Sequence, residues 1–430
     1  MDNITRYKNC FVIKKNKRTF IINMRNKLFW EFDNDIYLND EYCDSLPEAV
    51  EERLIYDGII EENNQPNLVK IDNEEYLPIL GTFLMSSICN LNCKYCYAYN
   101  NESIMLEYET GKKGVDFLIE NARKKRVKQI VVKFHGIGEP TINFKEMRNI
   151  YDYADKRCKE EGLVLKSGIT TNGICSNEVR QWMNENLDNI TISFDGFKEV
   201  QNVQRPHNTL NSFDEVMSTI MLINKEKISI RTTVTELNVE ILSEWVEFLN
   251  DKGIKRINFE TVIICGRAKT EKIQSLKKED FVDNYLKAKQ KGRERNVEVS
   301  FSGIKYNKNT RYHCGAYGRN FVITPNGLIS TCYEIAKLSN TDLDKFIIGN
   351  FEDEKIYIAQ DKVYLLKEFS HLKRMQCQGC FAEFNCSGGC ISKKVIKDEI
   401  IEESVKIKCE ITKEILLDEI ITVLENSLSH

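Results

Sequence analysis

The chain has 430 residues, 42% apolar and 29% charged, a globular balance that excludes a collagen, a coiled coil or wholesale disorder; at about 150 residues per domain, it holds two to four domains or one large barrel with additions. The 61 basic and 65 acidic residues leave a net charge of −4, so nothing in the charge calls for nucleic acid. No apolar run approaches the roughly 20 residues of a membrane span. Met1 to Arg18 is polar and charged, which predicts no signal peptide. Fifteen cysteines in such a chain predict a reducing, cytoplasmic setting, where crowded cysteines signal metal or redox chemistry rather than disulfides.

Residues 1–78 read as a small unit of their own. Phe11–Lys14 and Thr19–Phe32, with a turn-like Met24-Arg25-Asn26-Lys27 in the middle, predict strands joined by hairpins. Asn39 to Glu62 predicts a helix ending near Gly58, and the polar Glu61–Asn67 predicts a linker. From Ile79 the pattern becomes strand, loop, helix, repeated. The predicted strands are Thr82–Ser86, Gln129–Phe134, Val164–Thr170, Asn189–Phe194, Ile228–Val234 and Arg256–Val262. In Val239–Asp251 the apolar residues Leu242, Trp245, Val246 and Leu249 fall at helical spacing, and Gly253 marks the stop. Six alternating units over residues 79–305 predict an α/β fold with a parallel sheet, open or curled into a partial (β/α)6 barrel. Chemistry in such folds gathers in the loops after the carboxyl ends of the strands. Beyond about residue 305 turns and cysteines dominate through Cys390, and Cys409–Leu424 predicts a final helix.

Cys89, Cys93 and Cys96 form C-x3-C-x2-C directly after the first of these strands. Three thiolates on one loop are one short of a closed structural zinc site. They suit a four-iron cluster with one iron left open for a small chelating molecule. With Tyr95 before the last cysteine, the segment resembles the radical SAM superfamily. The resemblance continues along the strand ends. His135-Gly136-Ile137-Gly138-Glu139-Pro140 resembles the family's Gly-Gly-Glu-Pro motif, with Ile137 in place of the first glycine. That motif implies a contact from Gly136, Gly138 and Glu139 to the amino group of S-adenosylmethionine (SAM). Thr171 and Asn172 follow the third strand, and Ser193 and Asp195 end the fourth. The resemblance implies that Ser193 and Arg205 hold the ribose and carboxylate of SAM, and that Thr233, Val234, Glu260 and Thr261 line its adenine side.

The remaining cysteine-rich segment, residues 306–430, has a tight spacing. Cys314 is followed by twelve residues, Gly327, four residues and Cys332; then come Cys377-x2-Cys380-x5-Cys386-x3-Cys390 and, eighteen residues on, Cys409. This resembles the SPASM domain of peptide-modifying radical SAM enzymes. The resemblance implies two auxiliary four-iron clusters, one held by Cys377, Cys380, Cys386 and Cys409, the other by Cys314, Cys332 and Cys390 with one iron open or closed from outside the motif. Three [4Fe-4S] clusters and SAM are thus the expected cofactors.

By the same resemblance, residues 1–78 imply a winged-helix-like module that captures a precursor's leader peptide as an added strand. The implied function is a peptide maturase. It cleaves SAM reductively to a 5′-deoxyadenosyl radical, abstracts hydrogen from a ribosomally made precursor and installs an intramolecular cross-link, as a thioether or a C–C bond. The implied partners are that precursor and an electron donor such as flavodoxin or ferredoxin. The alternatives are anaerobic sulfatase maturation, peptide epimerisation, and a non-catalytic iron–sulfur or zinc protein. Sulfatase maturases usually carry Asp directly after the second cysteine of the motif, where this chain has Tyr333 and Glu334. Cys10, Cys43, Cys158, Cys175 and Cys265 read as ordinary buried thiols, with Cys265, just past the sixth strand, the first to test as a ligand or hydrogen donor.

Overall fold

The computed structural model describes residues 4–7, 10–15, 18–24, 26, 28–32, 48–60, 74–98, 103–304, 312–335, 341–352, 355–375 and 377–427. The first four strands, β1 (Ile4–Tyr7), β2 (Cys10–Lys15), β3 (Arg18–Ile22) and β4 (Phe29–Phe32), pair antiparallel in sequence order. Alternation decides what each face buries. Cys10, Val12 and Ile21 pack on Leu54, Ile59 and Ile60, in and just after helix α1 (Glu48–Tyr56). Phe11, Ile13, Phe20 and Ile22 turn the other way and pack on Phe381, Ala382, Leu416, Ile420 and Ile421. The expected helix is therefore present over Glu48–Tyr56; its predicted beginning and the predicted linker lie outside the described residues.

The second sheet begins with β5 (Leu80–Leu84), β6 (Gln129–His135), β7 (Val164–Thr171), β8 (Asn189–Ser193), β9 (Ile228–Val234) and β10 (Arg256–Thr261), all parallel. These are the six strands read from the sequence, within a few residues at each end. Alternate side chains such as Ile130, Val132 and Phe134 are fully buried beneath the helices, while Lys133 and His135 face the cavity. The covering helices include α2 (Tyr108–Lys125), α3 (Phe144–Glu160), α4 (Asn177–Asn186), α5 (Lys198–Gln204), α6 (Ser212–Leu222) and α7 (Leu242–Asp251). An aromatic cluster fixes α7 to β8: Trp245 stacks on Phe248 at 5.3 Å and meets Phe194 edge-on at 4.8 Å.

The alternation does not end where the sequence loses it. Helices α8 (Arg267–Thr270) and α9 (Lys278–Arg295) lead to a seventh parallel strand, β11 (Glu298–Phe301). At the opposite edge β12 (Phe321–Ile323) pairs parallel with β5, followed by antiparallel β13 (Leu328–Ser330), β14 (Ile347–Glu352) and β15 (Lys355–Ile358). The result is one 11-stranded sheet. Helices α10 (Gln360–Met375), α11 (Glu383–Cys386), α12 (Ile391–Val395) and α13 (Glu399–Ser427) complete the chain. The last helix starts at Glu399, earlier than the expected Cys409, because the intervening Glu, Lys and Ile residues form helix readily. Among the described residues no helix is long and apolar enough to cross a membrane.

Candidate functional site

The carboxyl ends of β5–β10 and the cysteine-rich segment enclose one cavity of about 1040 Å³. Its floor is the loop after β5, which backbone bonds from the β6 loop, the end of α5 and the start of α8 hold. Gly138 N–H donates to Ser86 O at 2.8 Å and Glu139 N–H to Ile88 O at 2.8 Å. Asn92 N–H donates to Pro206 O and Lys94 N–H to Gln204 O, each at 2.9 Å. Arg267 N–H reaches Cys96 O at 3.0 Å, and its guanidinium reaches Cys93 O at 3.1 Å. Backbone saturation of this kind fixes where Cys89, Cys93 and Cys96 present their thiols.

The glycine-rich loop is needed for approach rather than for a left-handed turn. A Cβ on Gly138 would lie 2.0 Å from Ile88 O, and one on Gly136 2.3 Å from Gly138 O. Neither glycine has positive φ, and Ile137 between them has none either, so the departure from two glycines is accommodated. Glu139 is buried and its carboxylate is fully occupied: Oε1 accepts from Thr141 N–H (3.1 Å), Thr141 Oγ1 (2.8 Å) and Thr171 Oγ1 (2.6 Å), and Oε2 accepts from Asn172 N–H (2.7 Å). Burial pushes its carboxyl above the usual range against the pull of those bonds. Asn172 then bonds Asn90 Oδ1 at 2.7 Å and approaches Cys89 Sγ at 3.8 Å. Glu139, Thr171 and Asn172 thus tie β6 and β7 to the cysteine loop.

Asp195 is fully buried. Its carboxylate accepts from Arg205 Nε (2.8 Å) and Nη2 (3.2 Å), from Thr233 N–H (2.9 Å) and from the Tyr95 hydroxyl. It acts on the cavity through these partners rather than by facing it. The Arg205 guanidinium lies 5.2 Å from the Tyr95 ring centroid, and Nη1 points at Cys93 Sγ at 3.9 Å. Ser193, Thr233, Glu260 and Thr261 line the cavity, and Thr261 Oγ1 is buried without a partner. Val234 does not line it: period-two alternation turns Val234 into the core and gives the cavity face to Thr233.

Cys314, Cys377, Cys380, Cys386, Cys390 and Cys409 face the same cavity, while Cys332 is buried behind Tyr333 and Glu334. Cys386 stands within electrostatic reach of Cys409, Cys377 and Cys380; Cys332 stands within reach of Cys390 and Cys314. Burial pushes the Cys89 thiol up to about 12, and those of Cys93 and Cys386 up to about 11. Loading metal here therefore releases protons. Among the described residues no three His, Cys, Asp or Glu side chains gather as a single metal ion requires. The donors are all thiols spread around a wide cavity, a set that fits iron–sulfur ligation. The close-packed glycine loop and, across the cavity, the unpartnered Thr261 hydroxyl fit a small polar cofactor.

Several contacts between site residues carry no sequence signal. His135 stacks on Tyr333 at 5.5 Å, joining β6 to the Cys332 turn. Lys408 pairs with Glu260, and Lys393 pairs with Glu334 at 2.9 Å. Of the solitary cysteines, Cys10 and Cys158 are buried, Cys175 is half-buried, Cys265 lines the cavity, and Cys43 lies outside the described residues.

A three-cysteine loop and a glycine-rich loop thus stand at adjacent ends of a parallel sheet. Residues 83–251 match the Radical SAM superfamily. It is similar to an uncharacterized protein of Methanocaldococcus jannaschii, MJ0907, at 32% identity over 40% of this chain and 58% of that one. It is similar to a cysteine-type anaerobic sulfatase-maturating enzyme of Clostridium novyi at 26% identity (40% of this chain, 48% of that one). It is also similar to the antilisterial bacteriocin subtilosin biosynthesis protein AlbA of Bacillus subtilis at 25% identity (65% and 58%). The chain spans about half the length of the curated relatives it matches. The fold is similar to that of anSMEcpe with bound AdoMet (TM-score 0.60, 21% identity, 79% of this chain and 99% of that one). It is similar also to that of Streptococcus suis SuiB bound to precursor peptide SuiA (TM-score 0.56, 17% identity, 93% and 100%).

Proposed function

We propose that the protein is a radical SAM peptide maturase that installs an intramolecular cross-link in a ribosomally made precursor. The observation that carries this reading is that one cavity is faced by the Cys89–Cys96 loop and by six of the seven later cysteines. In this reading Cys89, Cys93 and Cys96 hold the SAM-binding cluster. Cys377, Cys380, Cys386 and Cys409 hold one auxiliary cluster, and Cys314, Cys332 and Cys390 hold the other. When bound, the first cluster and SAM would supply a 5′-deoxyadenosyl radical for abstraction of one hydrogen atom, and the auxiliary clusters would offer a route for the one electron that cross-link formation, with loss of a proton, leaves over.

The chain's own residues prepare this chemistry. The backbone of Gly136 and Gly138 approaches the cysteine loop closely enough to seat the amino group of SAM. Arg205, held rigid by Asp195 and Tyr95, keeps one guanidinium nitrogen facing the Cys93 thiol. Ser193, Thr233 and Thr261 line the opposite wall for the nucleoside. Tyr333 takes the position that holds Asp in sulfatase maturases, and its ring is engaged with His135 and its hydroxyl with Thr82 at 3.3 Å. That supports cross-linking over formylglycine formation. Residues 1–78 serve as the leader-binding module, 79–305 as the catalytic barrel and 306–430 as the auxiliary-cluster domain. The external electron donor is a flavodoxin or ferredoxin.

The test is anaerobic incubation with SAM, reductant and the peptide encoded beside the gene. The expected product has lost two hydrogens, is formed with one 5′-deoxyadenosine, and is not formed by Cys89→Ala. Deuterium from solvent at a substrate α-carbon, with no mass loss, would instead establish epimerisation.

A further inference from the structure

Lys393 is a cation buried to 7% exposure at the place where the first cysteine loop meets the Cys332 and Cys390 segments. Its ammonium has two acceptors and an aromatic face around it. Nζ lies 2.9 Å from Glu334 Oε2, 3.1 Å from Cys265 Sγ and 5.5 Å from the Tyr97 ring centroid. Each partner belongs to a different piece of the cavity wall. Tyr97 follows Cys96, Cys265 follows β10, and Glu334 lies two residues beyond Cys332, with its N–H 3.5 Å from Cys332 Sγ. Lys393 itself lies in α12, which Cys390 caps; Ser392 in that helix joins Cys390 Sγ (3.1 Å) to Glu334 Oε2 (2.9 Å).

We propose that Lys393 and Glu334 form a buried charge pair that sets the reduction potential of the auxiliary cluster held by Cys314, Cys332 and Cys390, with Lys393 the residue that favours its acceptance of an electron. The proposal rests on the cluster assignment above. Lys393 is buried and the Glu334 side chain is 19% exposed, so each acts on the cradle at a dielectric below that of water, and net local charge is one of the quantities that fix an iron–sulfur potential. Neither residue touches the peptide in this scheme; both are positioning residues for the step in which the cross-linked product gives up its electron.

The test is a potentiometric titration of reconstituted holoenzyme, followed by low-temperature magnetic resonance, for wild type, Lys393→Met, Lys393→Arg and Glu334→Gln. Lys393→Met is expected to move one auxiliary couple negative by at least tenfold in its oxidised-to-reduced ratio, about 59 mV for one electron. Glu334→Gln is expected to move it positive, and Lys393→Arg to leave it near wild type. The opposite signs distinguish electrostatics from a disturbed fold. Where Lys393→Met loses iron, the positive shift of Glu334→Gln together with the unmoved Lys393→Arg sustains the proposal. Shifts of one sign, no shift, or loss of iron in all three variants overturns it. Wild type with about four irons per chain would fail the cluster assignment itself.

Discussion

Asp195 is a fully buried carboxylate at the centre of a hydrogen-bonded cluster. Its four donors include both arms of the Arg205 fork, and removing the charge leaves a buried guanidinium uncompensated. Asp195→Asn should cost about 3–5 kcal/mol, read as a lowered urea midpoint with unchanged slope. At this scale the cysteines were legible because iron ligation demands a fixed residue type at short spacing on one loop. The adenine wall was less so. Val234 and Thr233 are equally good candidates until the register of β9 shows which of them faces the cavity. Cys265 was singled out by its place just past the sixth strand, and it does line the cavity; Lys393 gave no signal, because its proximity to Cys265 and Glu334 joins three separate segments.

Strand ends, and the loops they pin, decide whether the thiols meet the cavity. Gly138→Ala pushes a methyl group into Ile88 O and should displace the Cys89 loop. Iron analysis should then fall from about twelve to about eight per chain, with the auxiliary signals kept. At the opposite end of the parallel strands Asp188 joins β7 to β8, accepting from Ser167 N–H at 2.8 Å and Lys166 at 3.2 Å. Partial burial pushes its carboxyl up, but these donors outweigh it and hold it below the usual aspartate value. Its stabilisation is therefore complete above that value and lost as pH falls through the folded one. Asp188→Asn should be less stable than wild type at pH 7, with the gap closing in denaturation curves taken progressively below pH 4. Strands β5–β10 were readable because four or more alternating residues mark a half-buried strand. Strand β12, with three residues, falls below that length, and β11, with four, only just reaches it; neither was read.

The whole molecule is held together by a contact between its two ends. Phe11 meets Phe381 edge-on at 6.2 Å, and the same sheet face covers Leu416, Ile420 and Ile421 of α13, the helix that carries Cys409. Residues 1–78 read as a separate unit in the sequence, and no periodicity reports a partner some 370 residues away. Phe11→Ala should cost about 3–5 kcal/mol and make the segment before β5 the first cleaved in limited proteolysis. The account as a whole depends on the thiols of Cys89, Cys93 and Cys96 leaving one iron free for SAM. Low-temperature magnetic resonance of the anaerobically reduced protein, before and after addition of SAM, addresses this most directly. A cluster signal that shifts when SAM is added, and that is absent from Cys89→Ala, is the predicted result; a spectrum indifferent to SAM would contradict it.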